Sequence, residues 1–216
     1  MRFPTVGVAM LVALAAPAFA QQSGVDISID SGYLQSSVEF RTRSFKANDC
    51  AVQEQCVTGT GKRNLMRFSV ATPNIGDIDL YLGKPQDHPE LFVYSPCHGH
   101  YHLVGYAVYE LLQNGTTVVV TGHKQAFCLE DFNQWDQNAA PAKYTCSNQG
   151  ISVGWQDIYG SYLDCQWIDV TGVAPGNYLL RVSINPARSD GSHLFSEVDY
   201  TNNVATVPIT IPRRFK

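Results

Sequence analysis

The run Cys97-His98-Gly99-His100-Tyr101-His102 gathers three of the chain's six histidines. Neutral imidazoles are ligands for first-row transition metals. Three of them with a position left open suit zinc as a hydrolytic centre or copper as a redox centre, and spacing does not choose between the two. On a helix His98 and His102 would share a face while His100 pointed roughly 200° away, so three-way chelation would fail. On a strand all three side chains leave from one side, but the outer Cα atoms would lie about 13 Å apart. The rings then meet at one ion only if the segment bends, and Gly99 permits a bend. The β-rich stretch Leu103-Val104-Gly105-Tyr106-Ala107-Val108-Tyr109 that follows favours the strand. A histidine-rich surface strand without a metal is the alternative.

Short β-branched or alternating runs supply the elements that must carry these ligands. They lie at Asp26 to Asp30, Leu65 to Val70, Ile78 to Leu82, Thr116 to Val120, Leu179 to Asn185 and Val204 to Ile211, punctuated by Gly, Pro and Asn. Leu180, Val182 and Ile184 alternate with Arg181, Ser183 and Asn185, the pattern of a strand with one buried and one wet face. Asn114-Gly115 between two apolar runs predicts a tight hairpin. No window of helical length shows helical periodicity. Two long stretches, Asn133 to Gly150 and Asn185 to Ser196, carry few apolar residues and read as loops. The expected fold is mainly β: a β-sandwich with long irregular, disulfide-braced loops and little helix.

The first twenty residues, MRFPTVGVAMLVALAAPAFA, place Arg2 before an apolar run and end in Ala18-Phe19-Ala20, the pattern of a cleavable export signal. Residues 21–216 then form one expected domain, secreted or periplasmic. No other stretch approaches the roughly 18 uncharged apolar residues of a membrane span. Removal of residues 1–20 takes one of 15 basic side chains and none of 19 acidic ones, leaving a net charge of −5. That balance argues against nucleic acid as a partner, since a phosphate-binding face needs clustered Lys and Arg. Six cysteines behind an export signal read as a disulfide set with fifteen possible pairings. None is spaced as CxxC, which disfavours a zinc cluster or redox motif.

Four segments together resemble the catalytic domain of the lysyl oxidase family over nearly the whole chain beyond residue 20, in a layout similar to bacterial members. They are Cys97 to His102; Gly122-His123-Lys124-Gln125-Ala126-Phe127-Cys128-Leu129-Glu130-Asp131; Asp157-Ile158-Tyr159-Gly160 running to Asp164-Cys165-Gln166-Trp167-Ile168-Asp169; and Glu197-Val198-Asp199-Tyr200-Thr201-Asn202-Asn203. The resemblance implies copper on His98, His100 and His102. It also implies a lysine tyrosylquinone (LTQ) cofactor formed by joining Lys124 to Tyr159. The implied activity is oxidative deamination of primary amines, peptidyl lysine among them, by O2, releasing an aldehyde, ammonia and hydrogen peroxide. Lys124 would react as the free amine, which calls for a setting that lowers its pKa. His123 and Asp157 lie close in sequence to the cofactor residues, but closeness along the chain does not aim a side chain at a substrate, so the proton-abstracting base stays open.

Glu197, Asp199, Asn202 and Asn203 offer four oxygen-bearing side chains in seven residues, either a hard-cation site or a polar turn held by Asx hydrogen bonds. The resemblance favours calcium, with Asp26 and the backbone carbonyl of Ile27 completing the site. It also implies disulfides Cys50–Cys56 and Cys97–Cys146. Cys128–Cys165 is expected because a 124–159 cross-link would draw those two thiols together. Two other classes compete with the oxidase: a secreted β-sandwich that binds copper or zinc without turnover, and a zinc hydrolase that polarises water at the open position. Lys124 and Tyr159 discriminate among them, since only the oxidase needs both.

Overall fold

The computed structural model describes residues 23–122 and 127–215. The export signal expected over residues 1–20, and Lys124, lie outside them. The strands are β1 (Glu39–Phe45), β2 (Gly61–Arg67), β3 (Val70–Pro73), β4 (Leu80–Gly83), β5 (Phe92–Ser95), β6 (His100–Leu103) and β7 (Ala107–Gln113). They continue with β8 (Thr117–Thr121), β9 (Asn133–Gln134), β10 (Gln149–Ile151), β11 (Trp155–Tyr159), β12 (Trp167–Asp169), β13 (Gly176–Ile184) and β14 (Val204–Ile211). Among the described residues helix is confined to α1 (Ser31–Ser36), α2 (Cys50–Gln53) and a 3-10 turn at Pro85–Asp87. The chain is therefore mainly β with little helix, and no described helix is long and apolar enough to cross a membrane.

Period-two patterning builds the largest sheet, ordered β14-β13-β7-β8 and antiparallel throughout. Every second residue of β13 and β14 is buried, so Leu180 and Val182 stack beside their register partners Val207 and Ala205 on one inward face. Asn114 and Gly115 both take positive φ (53° and 80°), and Thr116 N–H closes on the Gln113 carbonyl, as the Asn-Gly step predicts. The remaining strands form four small sheets: β1-β2-β12, β10-β4, β3-β11-β9 and β5-β6. One apolar cluster runs beneath most of them, including Phe68, Leu103, Tyr109, Leu111, Leu129 and Ile168. A second, smaller cluster joins Phe45, Ala51, Cys56, Val57, Leu65 and Trp167. The Trp167 indole N–H donates to the Cys56 carbonyl at 2.8 Å, fixing the end of the Cys50–Cys56 span against β12.

Two expectations are corrected. The strand expected at Asp26 to Asp30 is a single bridge, Ile27 with Asn74. Asp30 instead caps α1, its carboxylate accepting the Tyr33 N–H at 2.9 Å, and an Asx cap competes directly with strand pairing. The cysteine pairing also differs throughout. Cys50 bonds Cys97, Cys56 bonds Cys165 and Cys128 bonds Cys146, with Cα separations of 5.7, 5.2 and 5.2 Å. Cys50–Cys56, Cys97–Cys146 and Cys128–Cys165 do not form. Cys50 opens α2 beside the β5–β6 turn, whereas Cys56 is buried in the second cluster with Cys165. Cys146 reaches Cys128 because the 127–129 segment is hydrogen-bonded along the start of β10, through Leu129 N–H to Gln149 Oε1 and Gly150 N–H to the Leu129 carbonyl.

Candidate active site

Strands β5 and β6 form a hairpin in which Ser95 pairs with His100 and Val93 with His102. His100 and His102, two residues apart on β6, leave from the same face. His98 belongs to the turn before them, where its N–H and that of Gly99 both donate to the Ser95 carbonyl, at 3.2 and 2.8 Å. Gly99 sits at φ +72°, a conformation that side chains with a Cβ resist, and supplies the bend. The three rings converge with centroids 4.8 to 5.9 Å apart. His100 Nε2 and His102 Nε2 are 3.1 Å apart, and one nitrogen from each ring lies within 4.8 Å of the others. Ligand atoms around one transition-metal ion lie about 3–3.5 Å apart for bonds of ~2 Å; the His100–His102 pair has that spacing, and His98 stands close enough to join it by a small shift. Two other groups of close ligand-type side chains exist among the described residues, but each includes disulfide-bonded cysteines, which have no thiolate to offer.

The tripod opens into a cavity of about 490 Å³. Tyr159, Phe127, Tyr162, Gln166 and the Cys50–Cys97 disulfide form the rest of much of its wall. Tyr159 is the last residue of β11, where pairing with Val70 of β3 sets its height. Its hydroxyl accepts the Cys128 N–H at 2.5 Å, and its ring packs edge-on against Phe127 with centroids 3.9 Å apart. Burial, then the nearby Asp157 carboxyl, push the phenol well above its ordinary pKa, so the hydroxyl is held protonated. Asp157 precedes Tyr159 by two positions on β11 and shares its face. It is 3% exposed, and its Oδ2 has no hydrogen-bond partner among the described residues. Burial and then Glu130 raise its pKa well above the carboxylate range.

Glu54 escaped notice in the sequence. It caps α2, its Oε2 meets His98 Nε2 at 3.0 Å, and its Oε1 accepts from the Ser95 hydroxyl at 2.6 Å. A Cys50–Cys56 bond would have closed that span on itself, so nothing in the spacing connected Glu54 with the histidines.

A family model described as Lysyl oxidase matches residues 25–214. The chain belongs to the lysyl oxidase family. It is 36% identical over 201 residues to lysyl oxidase homolog 3B of Danio rerio, covering 88% of this chain and 24% of that protein. Against lysyl oxidase homolog 3 of Homo sapiens identity is 36% over 194 residues, covering 84% and 24%. Against protein-lysine 6-oxidase of Homo sapiens it is 37% over 195 residues, covering 85% and 45%. This lysyl oxidase family chain thus spans about a quarter to a half of the length of these relatives.

The oxygen-rich segment of this family member is partly assembled around Glu197. Glu197 Oε2 accepts the Ile27 N–H at 2.6 Å and Oε1 accepts from the Asn185 and Asn203 amides, each at 2.7 Å. The Asn202 amide donates to Asp26 Oδ1 at 2.7 Å. Asp199 is turned into its own loop, where Oδ1 accepts from the Thr201 N–H and hydroxyl. Ile27 meets this cluster through its N–H. The buried side-chain oxygens of Asn202 and Asn203 have no donor among the described residues, as expected of groups that face a cation. Burial, before any other influence, raises the Glu197 pKa.

Proposed function

We propose that this chain is a copper-dependent amine oxidase that converts primary amines, the side chain of peptidyl lysine included, to aldehydes, releasing ammonia and hydrogen peroxide. One observation carries the reading: the Tyr159 ring lines the same cavity as the three converging imidazoles. A non-catalytic metal-binding protein or a zinc hydrolase does not require a phenol there, whereas the oxidase does.

His98, His100 and His102 would hold copper, since their nitrogens form a neutral donor set with room on the cavity side. When present, copper would supply one-electron chemistry with O2, and a quinone derived from Tyr159 and Lys124 would supply a carbonyl able to accept electrons from an amine. The chain's own contribution is positioning. The Cys128 N–H fixes the Tyr159 hydroxyl and Phe127 fixes the ring plane. Burial, with the Asp157 carboxyl close by, keeps the phenol neutral.

The Glu197 cluster, with Asp26, Asn202 and Asn203, is proposed as a structural calcium site that would tie residues 26–27 to the 197–203 loop, the Ile27 carbonyl and the second carboxylate oxygen of Asp199 joining it when the ion binds. Residues 1–20 are proposed as an export signal preceding a single catalytic domain. Three cystines suit a secreted or periplasmic compartment.

The test is peroxide release from n-butylamine and from a lysine-containing peptide by copper-loaded protein, with metal content measured in parallel. Tyr159→Phe and Lys124→Ala should each abolish peroxide release while copper stays bound. Turnover that survives both substitutions would refute the proposal.

A further inference from the structure

We propose that Glu54 is a positioning residue for the metal tripod. Its carboxylate pairs with the Nε2–H of His98, which keeps the proton on that nitrogen, so that His98 donates to the ion through Nδ1 while His100 and His102 donate through Nε2. This rests on the reading that the three histidines bind one metal.

His98 Nε2 stands 3.0 Å from Glu54 Oε2 in an ion-pair contact, and an imidazole nitrogen that carries a proton towards a carboxylate has no lone pair for a metal. Nδ1 is the nitrogen left with one. The close pair in the tripod, 3.1 Å apart, is Nε2 of His100 with Nε2 of His102. An imidazole whose second nitrogen is held by a carboxylate keeps one tautomer and one ring orientation, and becomes a more basic ligand.

Glu54 is itself held. The Ser95 hydroxyl donates to its other oxygen at 2.6 Å, and Ser95 Oγ lies 3.2 Å from the backbone N–H of His98. Ring, carboxylate, hydroxyl and backbone therefore close a circuit through the first ligand. The covalent frame serves the same end. Cys50, four residues before Glu54, is bonded to Cys97, the neighbour of His98, and Cys56, two residues after it, is bonded to Cys165. The carboxylate thus sits on a short span fastened on one side to the ligand turn and on the other to the segment before β12.

The experiment uses metal-free protein and zinc, a diamagnetic probe, with copper as the second ion. Long-range ¹⁵N–¹H spectra of histidine-labelled protein read the tautomer of His98, assigned by comparison with His98→Gln. Chelator competition reads affinity for both ions. Metal-free wild type should show His98 protonated at Nε2, and the zinc form should show Nδ1 coordinated. Glu54→Ala should lose the single tautomer and bind both ions about 10- to 100-fold more weakly. Glu54→Gln keeps an acceptor oxygen and the packing volume, and should recover most of that loss. Zinc on Nε2 of His98, or wild-type affinity and tautomer in a folded Glu54→Ala, would overturn the proposal and leave the tripod standing. Wild-type protein that takes up neither ion would overturn the tripod, and the role of Glu54 with it.

Discussion

Replacing Cys56 and Cys165 together by alanine should destabilise this chain more than removing either other cystine. The bonds span 109, 47 and 18 residues for Cys56–Cys165, Cys50–Cys97 and Cys128–Cys146. Loop-closure entropy then gives about 4.8, 4.1 and 3.2 kcal/mol at 25 °C. The folded side adds to the first figure, because Cys56 and Cys165 are 3% and 6% exposed and pack in the cluster around Trp167. For a chain of this size about 5 kcal/mol corresponds to a fall in Tm of roughly 10–20 °C. Urea unfolding of the three double Cys→Ala variants, at one pH and without metal, measures the series. The expected order of loss is Cys56/Cys165, then Cys50/Cys97, then Cys128/Cys146. A reversed order, or a loss below about 1 kcal/mol for the first pair, would refute the reasoning. So would a non-reduced peptide map that joins Cys50 to Cys56.

Tyr159→Phe should do more than silence peroxide release: it leaves the Cys128 N–H without its acceptor, costing about 1–3 kcal/mol in urea unfolding. Calcium at 100 times its Kd should stabilise the protein by about 2.7 kcal/mol and raise Tm by roughly 5–11 °C, reversed by EDTA. A calorimetric Tm indifferent to both reagents would sink the calcium site. Asp157 has a raised pKa in the fold, so its stabilising proton is fully present below about pH 4, where the unfolded chain is also protonated, and is lost as pH climbs through the folded value. Asp157→Asn should therefore gain on the parent as pH rises from 4, by up to ~1.4 kcal/mol per pH unit within that window. Denaturant midpoints that keep a constant gap across pH 4 to 8 would contradict it.

What the sequence made legible follows the range of the forces involved. Strand β14 lies where alternation puts it, and the Asn114-Gly115 turn where backbone preference puts it, because both are local. The three histidines could be expected to meet because only a bend at Gly99 brings a strand's ligands together, and Gly99 takes that conformation. Asp30 misled because a cap and a strand end use the same residue types. The cystines and Glu54 were hidden for one shared reason. Each depends on which sheet the Cys50–Cys56 span meets in space, and the neighbours in sequence carry no mark of it.

Asn185 directly follows β13 at φ +41°, fully buried, and works as a single polar rivet. Its amide donates to the Phe195 carbonyl and to Glu197, while its oxygen accepts the N–H groups of Leu194 and Phe195. Three of those four ties grip main-chain atoms, which every residue type possesses. The exposed stretch between them can therefore exchange its side chains with little penalty to the fold, whereas losing that one amide would unfasten the whole excursion and slacken the Glu197 cluster. Variation among related chains should gather inside this loop and stop at the rivet.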